Sequence, residues 1–309
     1  MTSQILTKQK RPSKVSFVSV LCILLMPLML FFSNSIKQGA SLGLDLSLST
    51  IIPTLFPFFI LSDLWVSYAT INGGIISKAY SRLFGVSSST LPAYLLGSLC
   101  GFPLGVKAAV ILYDSGLISK EELERLSSFA NNPSAAFVIS GIGAGLYKDI
   151  WIGVRLYLAV LFSSLFVGLL FRLKENNSTN IEVISRQSFN LIKSIQSAGV
   201  SSLSVCCYIV FFSSVIGLLA EIIKNPLILA IASSFLEITN ASSLSVGLTA
   251  SYPSVNYLIT AFALGFSGLS VHMQVFALLP AETSKSKYLL MKLIQGILCS
   301  IITFLFMLI

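Results

Sequence analysis

The residues best suited to chemistry lie in a long apolar segment that glycine and proline interrupt and that also carries a lysine. Proline removes a backbone donor and glycine weakens a helix, so Gly101, Pro103 and Gly105 predict a break in the segment. Unwound backbone in a bilayer must be covered by protein or face a water-filled cavity. A cation at that depth costs about 2.5–3.5 kcal/mol and usually marks a solute or ion path. Lys107 is therefore predicted to face an anionic solute at a site that Gly101, Phe102 and Gly105 help to line. The alternative is a lysine that extends from a helix end to the membrane interface.

A second polar break follows at Asn131 and Asn132, directly before Pro133. Ser119 and Glu122 have the spacing of a capping box, which predicts a short amphipathic helix that begins there and ends at the asparagines. One asparagine amide can cap the end of this helix while the other binds a carboxylate or a coupling ion. The pattern leaves both roles open, and both asparagines are candidate solute-binding residues.

A third polar cluster, Glu237, Thr239 and Asn240, lies in an otherwise apolar stretch. An acid in such a stretch can carry a coupling proton, bind sodium or accept a hydrogen bond from a solute hydroxyl. The same residues would also suit an exposed loop. We take all three as candidate solute-binding residues.

Ser267 lies between two glycines, a pattern that an intramembrane serine protease could use together with a histidine from another helix. His272 is the chain's single histidine, and it lies about 140° around the same helix from Ser267. Because this histidine is poorly placed to activate the hydroxyl, we predict no enzyme and take Ser267 as a solute-binding residue. One histidine with no cysteine or carboxylate at ligand spacing predicts no metal site, and no cofactor is expected.

These polar positions belong to a very apolar chain. Of its 309 residues, 55% are hydrophobic and only 10% are charged, whereas soluble domains have about 25% charged residues. The composition predicts an all-α polytopic membrane protein. The net charge of +8 comes from basic residues that lie mostly at the ends of apolar runs. This distribution is typical of orientation in a bilayer, and we predict no nucleic-acid partner.

Apolar runs of about 20 residues predict about seven membrane spans. The spans lie at roughly 15–32, 46–68, 91–113, 150–171, 196–219, 256–279 and 288–309. Two more apolar segments, 134–147 and 227–250, are too short or too broken to span and are predicted to be re-entrant or interfacial. Basic residues before the first span and in the loop 172–193 predict a cytoplasmic N-terminus.

The two halves of the chain echo each other in sequence. Segments 34–40, 96–102 and 155–162 recur loosely, in the same order, as 193–199, 263–269 and 292–299. An odd number of spans in each copy, about three, predicts an inverted repeat with a site at the repeat interface. The predicted units are a basic arm and first helix (1–33), a first gate-like repeat (34–172), a cytoplasmic linker (173–192) and a shorter, inverted repeat (193–309).

Several blocks resemble the sporulation integral membrane proteins that carry the nucleoside-recognition (gate) domain, a relative of the core of concentrative nucleoside transporters. The blocks are 56–62, 101–107, 113–119 and 128–132 in the first half, with 235–240 and 265–268 in the second. The resemblance implies a transporter of endospore-forming bacteria that acts in the mother cell. It also implies a link to dipicolinic acid delivery and spore maturation, in the cell membrane or the outer forespore membrane.

The leading prediction is a secondary transporter or permease for a small anionic or heterocyclic solute, with dipicolinate first and a proton or sodium as the coupling ion. Dipicolinate carries two carboxylates, which Lys107 and the N–H groups at half-helix N-termini would suit. The resemblance also allows a nucleoside as substrate. A non-transporting membrane scaffold of sporulation is the alternative. The chain has no Gly-x-x-x-x-Gly-Lys-Ser/Thr loop, so ATP-driven transport by this chain alone is not expected.

Overall fold

The computed structural model describes residues 23, 26–68, 74–172 and 190–308. Within these ranges the chain is helical and contains no strand, which confirms the predicted all-α class. Four of the described helices are long and apolar enough to cross a bilayer, or five if the bent pair Ser33–Ile51 and Leu55–Leu61 forms one span. The chain is therefore a polytopic helical membrane protein, as its composition predicts.

The described helices fall into two groups on either side of residues 173–189. The first group is α1 (Ser33–Leu46), α2 (Ile52–Tyr68), α3 (Ile75–Phe84), α4 (Leu91–Leu99), α5 (Leu104–Asp114), α6 (Lys120–Phe129) and α7 (Ile150–Leu170). A π-helical turn, Ser47–Ile51, joins α1 to α2, and a π-helix, Ala136–Tyr147, precedes α7. The second group is α8 (Leu191–Ile222), α9 (Pro226–Leu236), α10 (Ile238–Gly247), α11 (Val255–Phe266), α12 (Gly268–Leu278) and α13 (Lys285–Met307).

The four long apolar helices are α7, α8, the consecutive pair α11 and α12, and α13. They match the spans predicted at 150–171, 196–219, 256–279 and 288–309. The predicted span 46–68 falls in the bent region of α1 and α2. Most of the predicted span 15–32 lies outside the described residues. The described part of the chain thus has fewer long apolar helices than the seven spans predicted for the whole.

The prediction of a single span at 91–113 is wrong. The segment is two short helices, α4 and α5, separated by a break at residues 100–103 where Gly101 has a φ of +90°. Gly97 and Gly105 would lie about 12 Å apart in a continuous helix. Instead they are in contact, since a Cβ added to Gly97 would lie 2.9 Å from the Cα of Gly105. The chain therefore reverses at the break and forms a helical hairpin.

The segment predicted to be re-entrant or interfacial at 227–250 is also a pair of short helices. α9 ends at Leu236 and α10 begins at Ile238, with Glu237 extended between them. Leu227 and Leu248 pack in one small apolar cluster, although a straight helix would separate them by about 31 Å. This segment therefore folds back on itself as well.

Apart from α2 and α3, which have no counterpart in the second group, the two groups share an order of elements. A first helix (α1 or α8) is followed by a hairpin (α4–α5 or α9–α10), then by a broken helix and a last long helix, α7 or α13. This order pairs the break at Gly101 with Glu237, and the break at Asn132 with Ser267. It differs from the sequence echo, which pairs 96–102 with 263–269. The inversion of the second copy and the unit boundaries stay predictions.

The first helices of the two groups, α1 and α8, pack closely through small residues. A Cβ on Gly39 of α1 would collide with the carbonyl of Ser213 on α8, and one on Gly43 would lie 2.7 Å from the Ser213 hydroxyl. On α8, Gly217 faces Gly39 across the same contact. Small residues let helix backbones approach within a bilayer, where apolar side chains gain little by leaving lipid.

The short helix α6 lies inside the molecule. Its predicted capping box is confirmed, because Ser119 Oγ accepts from the backbone N–H of Glu122 at 3.2 Å and Glu122 Oε2 accepts from that of Ser119 at 3.0 Å. The helix ends at Phe129, just before the two asparagines, as predicted. This fixes where the second break begins.

Candidate functional site

Helix breaks from both halves meet around one narrow groove in the protein, hereafter called the cleft. Its free volume in this conformation is about 20 Å³, which is room for about one water molecule. Its polar lining residues are Ser134, Glu237, Thr239, Ser270 and Gln274. Gly101 and Phe102 line it from the first hairpin. Apolar side chains of the π-helical turn, α2, the π-helix, α8, α10 and α12 form the rest of the wall.

The first break, at residues 100–103, touches the second break, at residues 130–134, through Gly101 and Ser134. A Cβ on Gly101 would lie 2.8 Å from both the backbone nitrogen and the Cβ of Ser134, so this approach requires glycine. Gly101 and Phe102 lie in the cleft, where they were predicted to line a site. Gly105 does not line it. It packs instead on the carbonyl of Ala130, where any Cβ would collide.

The third break is built on the carboxylate of Glu237, which is only 3% exposed. Its Oε1 accepts from the backbone N–H of Thr239 at 2.9 Å, and its Oε2 from that of Asn240 at 2.7 Å. The Asn240 side-chain amide donates to the same Oε2 at 2.8 Å. The carboxylate therefore caps the N-terminus of α10, where the helix dipole favours negative charge. These residues are buried, so the exposed-loop interpretation is wrong.

The fourth break lies at Ser267, which has a φ of +79° and is fully buried between α11 and α12. A Cβ on the next residue, Gly268, would lie 3.2 Å from the backbone nitrogen of Glu237, so the third and fourth breaks touch. Among the described residues, the Ser267 hydroxyl and the Gln274 Oε1 have no hydrogen-bond partner. Ser267 itself is not among the lining residues of the cleft, whereas Gln274 is.

A buried polar network lies beside the cleft and is centred on Lys292 of α13. The Lys292 side chain is fully buried, and its Nζ donates to the backbone carbonyl of Asn131 and to Gln295 Oε1, each at 2.8 Å. Gln295 Nε2 in turn donates to Asn132 Oδ1 at 2.8 Å. Both asparagines of the second break are thus tied to α13. We call this group the Lys292 network.

The network extends through Tyr288, whose hydroxyl accepts from Asn131 Nδ2 at 3.1 Å and lies 3.1 Å from His272 Nδ1. Asn132 Nδ2 donates to the carbonyl of Phe129 at 2.8 Å. That bond is the capping role that the sequence left open for one asparagine. Neither asparagine lines the cleft, so solute binding by either stays a prediction.

The prediction that Lys107 lies in the polar pocket is wrong. Lys107 is exposed on α5, whereas its neighbours Val106 and Ala109 are fully buried. The break ends at Pro103, and one turn later the helix directs position 107 away from the cleft. Lys292 is instead the buried cation next to the breaks.

Sequence reasoning passed over Lys292, although a signal for it exists. Tyr288, Lys292, Gln295 and Cys299 recur at helical spacing along one face of an otherwise apolar span, and all four are buried. A polar stripe in a membrane helix predicts a face that points into the bundle. The lining residues Ser134, Ser270 and Gln274 carry no comparable signal, because single hydroxyl and amide residues occur throughout the chain.

No convergence of metal ligands occurs in the described ranges: no three His, Cys, Asp or Glu side chains come together there. The polar atoms of the cleft are a carboxylate, an amide and hydroxyls. This set is suited to hydrogen bonding a small polar molecule or to taking up a proton.

The fold and the site define the chain as a polytopic helical membrane protein whose broken helices meet at a buried polar cleft. The chain is similar to the sporulation integral membrane protein YlbJ of Bacillus subtilis (strain 168), with 26% identity over 309 aligned residues, covering 85% of this chain and 76% of that protein. This similarity agrees with the sporulation part of the resemblance. No family model matches the chain, and no solved structure matches it.

Proposed function

We propose that this chain is a secondary transporter for a small heterocyclic solute that is moved during spore formation. The observation that carries the proposal is the meeting of helix breaks from both halves at one cleft that contains a buried carboxylate. Secondary transporters bind their solutes where discontinuous helices meet at a repeat interface. A buried ionisable group in a membrane protein commonly serves a solute or ion pathway.

Dipicolinate is the first candidate substrate, and it rests on the resemblance and on the sporulation relative. The described lining of the cleft holds one carboxylate and no lysine or arginine. A carboxylate opposes an anionic solute unless a proton arrives with it. We therefore propose that dipicolinate moves together with a proton that Glu237 carries.

A nucleoside is the second candidate substrate, and the chemistry of the cleft favours it. Glu237 and the unused Gln274 Oε1 are acceptors, which suit the hydroxyl donors of a ribose. Phe102 and Phe137 in the wall offer apolar surface for a base. The remaining alternative is a membrane scaffold for other sporulation proteins. A scaffold would not need the side chains of the cleft for its function.

The test is uptake of radiolabelled dipicolinate and uridine by proteoliposomes that contain the purified chain. We expect one of the two solutes to accumulate. We expect Glu237→Gln to lower its uptake at least about tenfold, since the proton carrier and the acceptor charge are both lost. Lys107→Ala is the matched control and retains full uptake, because that side chain lies outside the cleft.

Each outcome separates the candidates. Dipicolinate uptake that a proton gradient drives supports the first substrate, and uridine uptake supports the second. If the folded chain takes up neither solute, while Glu237→Gln still supports normal spores in the cell, the transporter proposal fails and the scaffold alternative holds.

A further inference from the structure

We infer that the ammonium group of Lys292 is a built-in monovalent cation, which occupies an oxygen-lined position at the second helix break where a free cation would otherwise bind. The inference goes beyond the proposed function, because it concerns ion binding and requires no particular solute. It assigns a role to the buried amino group at the centre of the Lys292 network.

The oxygens around Lys292 Nζ are those of a cation site. One is the backbone carbonyl of Asn131, which the end of α6 leaves free of a helical hydrogen bond, and the other is the side-chain oxygen of Gln295; both lie at 2.8 Å. Carbonyl oxygens at unwound helix breaks are the ligands that membrane proteins use for monovalent cations. The side-chain Oδ1 of the same Asn131 is buried and has no hydrogen-bond partner among the described residues.

No acid lies within ion-pair distance of Lys292 among the described residues. In the part of the chain that the structure describes, the ion pairs are those of Glu124 with Lys120 and Lys287 and of Glu221 with Lys224. Lys292 is in none of them. Its Nζ donates to neutral oxygens, as in sites for sodium or potassium, whereas a structural ion pair would bring a carboxylate.

The position also connects two elements. The Lys292 ammonium bridges the second break to α13, and Gln295 links the same helix to Asn132. A free cation at this position would bind or dissociate as the salt concentration changes. A tethered ammonium stays, so the wild-type chain does not need sodium to hold the break against α13. Sodium coupling through this position is therefore excluded by the inference.

The experiment measures the melting temperature of the purified chain in lipid nanodiscs in the chloride salts of sodium, potassium, ethylammonium or choline at equal ionic strength. We expect the wild type to melt at the same temperature in all four salts. Lys292→Ala leaves the oxygens without their cation, so it melts lower in choline. Sodium or ethylammonium ions then raise its melting temperature by about 2–4 °C at saturation.

Two controls separate this role from simple packing. Lys292→Met fills the same space without charge, so it melts lower than wild type and shows no response to any cation. Lys107→Ala removes an exposed lysine and melts like wild type in every salt. Lys292→Gln is a second variant that removes the ammonium group, and sodium is expected to raise its melting temperature as well.

Either of two results overturns the inference. One is a sodium-specific rise in the melting temperature of the wild type, which would mean that the cation site is elsewhere or is not filled by Lys292. The other is equal melting of both Lys292→Ala and Lys292→Gln in sodium, ethylammonium and choline. Because no transported solute enters this measurement, its failure would leave the transport proposal standing.

Discussion

At the residue scale, the cleft combines one satisfied polar group with one that is unsatisfied. Three N–H donors fix the Glu237 carboxylate, while Gln274 Oε1 has no partner among the described residues. A buried acceptor without a partner costs about 1–3 kcal/mol. Proteins retain such groups where a ligand or a reaction uses them.

Gln274→Leu is therefore expected to separate stability from function. Removing the unpaired amide leaves the melting temperature equal or higher, whereas solute uptake falls. Gln295→Leu is the matched control. The side-chain amide of Gln295 is hydrogen-bonded to both Lys292 and Asn132, so its loss lowers the melting temperature. If Gln274→Leu melts markedly below wild type, the amide has a structural role and this interpretation fails.

At the element scale, the hairpin of α4 and α5 is held by close backbone packing. Gly97 and Gly105 face each other and both lie against the carbonyl of Ala130, at the end of α6. This contact sets the first break beside the second. The cleft therefore depends on residues that do not line it.

Gly97→Ala is expected to lower the melting temperature clearly, since a Cβ there would overlap Ala130 O and force the hairpin away from α6. Gly199→Ala on α8 is the control. A Cβ added to Gly199 would meet no other atom within 4 Å. Alanine in a helix is more stable than glycine by up to about 1 kcal/mol. Equal melting of Gly97→Ala and wild type would show that the hairpin is not packed as described.

The buried Arg125 of α6 joins three elements by donating to the backbone carbonyls of Phe84, Gly85 and Gly168. Burial lowers the pKa of Arg125 to about 10, so the side chain keeps its charge at neutral pH. These bonds cap the ends of α3 and α7.

Arg125→Met is expected to destabilise the chain by about 3–5 kcal/mol, because buried carbonyls lose charged donors. Thermal unfolding in nanodiscs measures the effect. The exposed Arg172, which donates to the carbonyl of Arg82, provides the control: Arg172→Met should change stability by less than about 1 kcal/mol. A small effect for Arg125→Met would contradict the bridging role.

The breaks themselves could be predicted from sequence because their causes are local. Gly101 with Pro103, and Asn132 with Pro133, stop a helix wherever they occur. The direction of the chain after a break is not local. Whether 91–113 crosses the bilayer or turns back depends on the contact between Gly97, Gly105 and Ala130, which no periodicity reveals. For the same reason the exposed Lys107 could not be distinguished from a cation in the cleft.

At the scale of the whole molecule, long helices frame two hairpins and two broken helices whose interruptions converge. The first helices of the two groups, α1 and α8, pack through Gly39 and Gly217, and α13 ties the second break to the second half through Lys292. The cleft lies between the two halves. Relative movement of the halves would therefore open or close it, which is how alternating access works in secondary transporters.

The central claim is that a solute binds in this cleft, and the most direct test is equilibrium binding of radiolabelled dipicolinate and uridine to the chain in nanodiscs. Ser270→Trp fills the cleft, and Asp114→Asn changes an exposed acid as its control. We predict saturable binding of one solute to wild type and to Asp114→Asn, and none to a folded Ser270→Trp. Undiminished binding to Ser270→Trp, or no saturable binding of either solute to the wild type, would contradict the account.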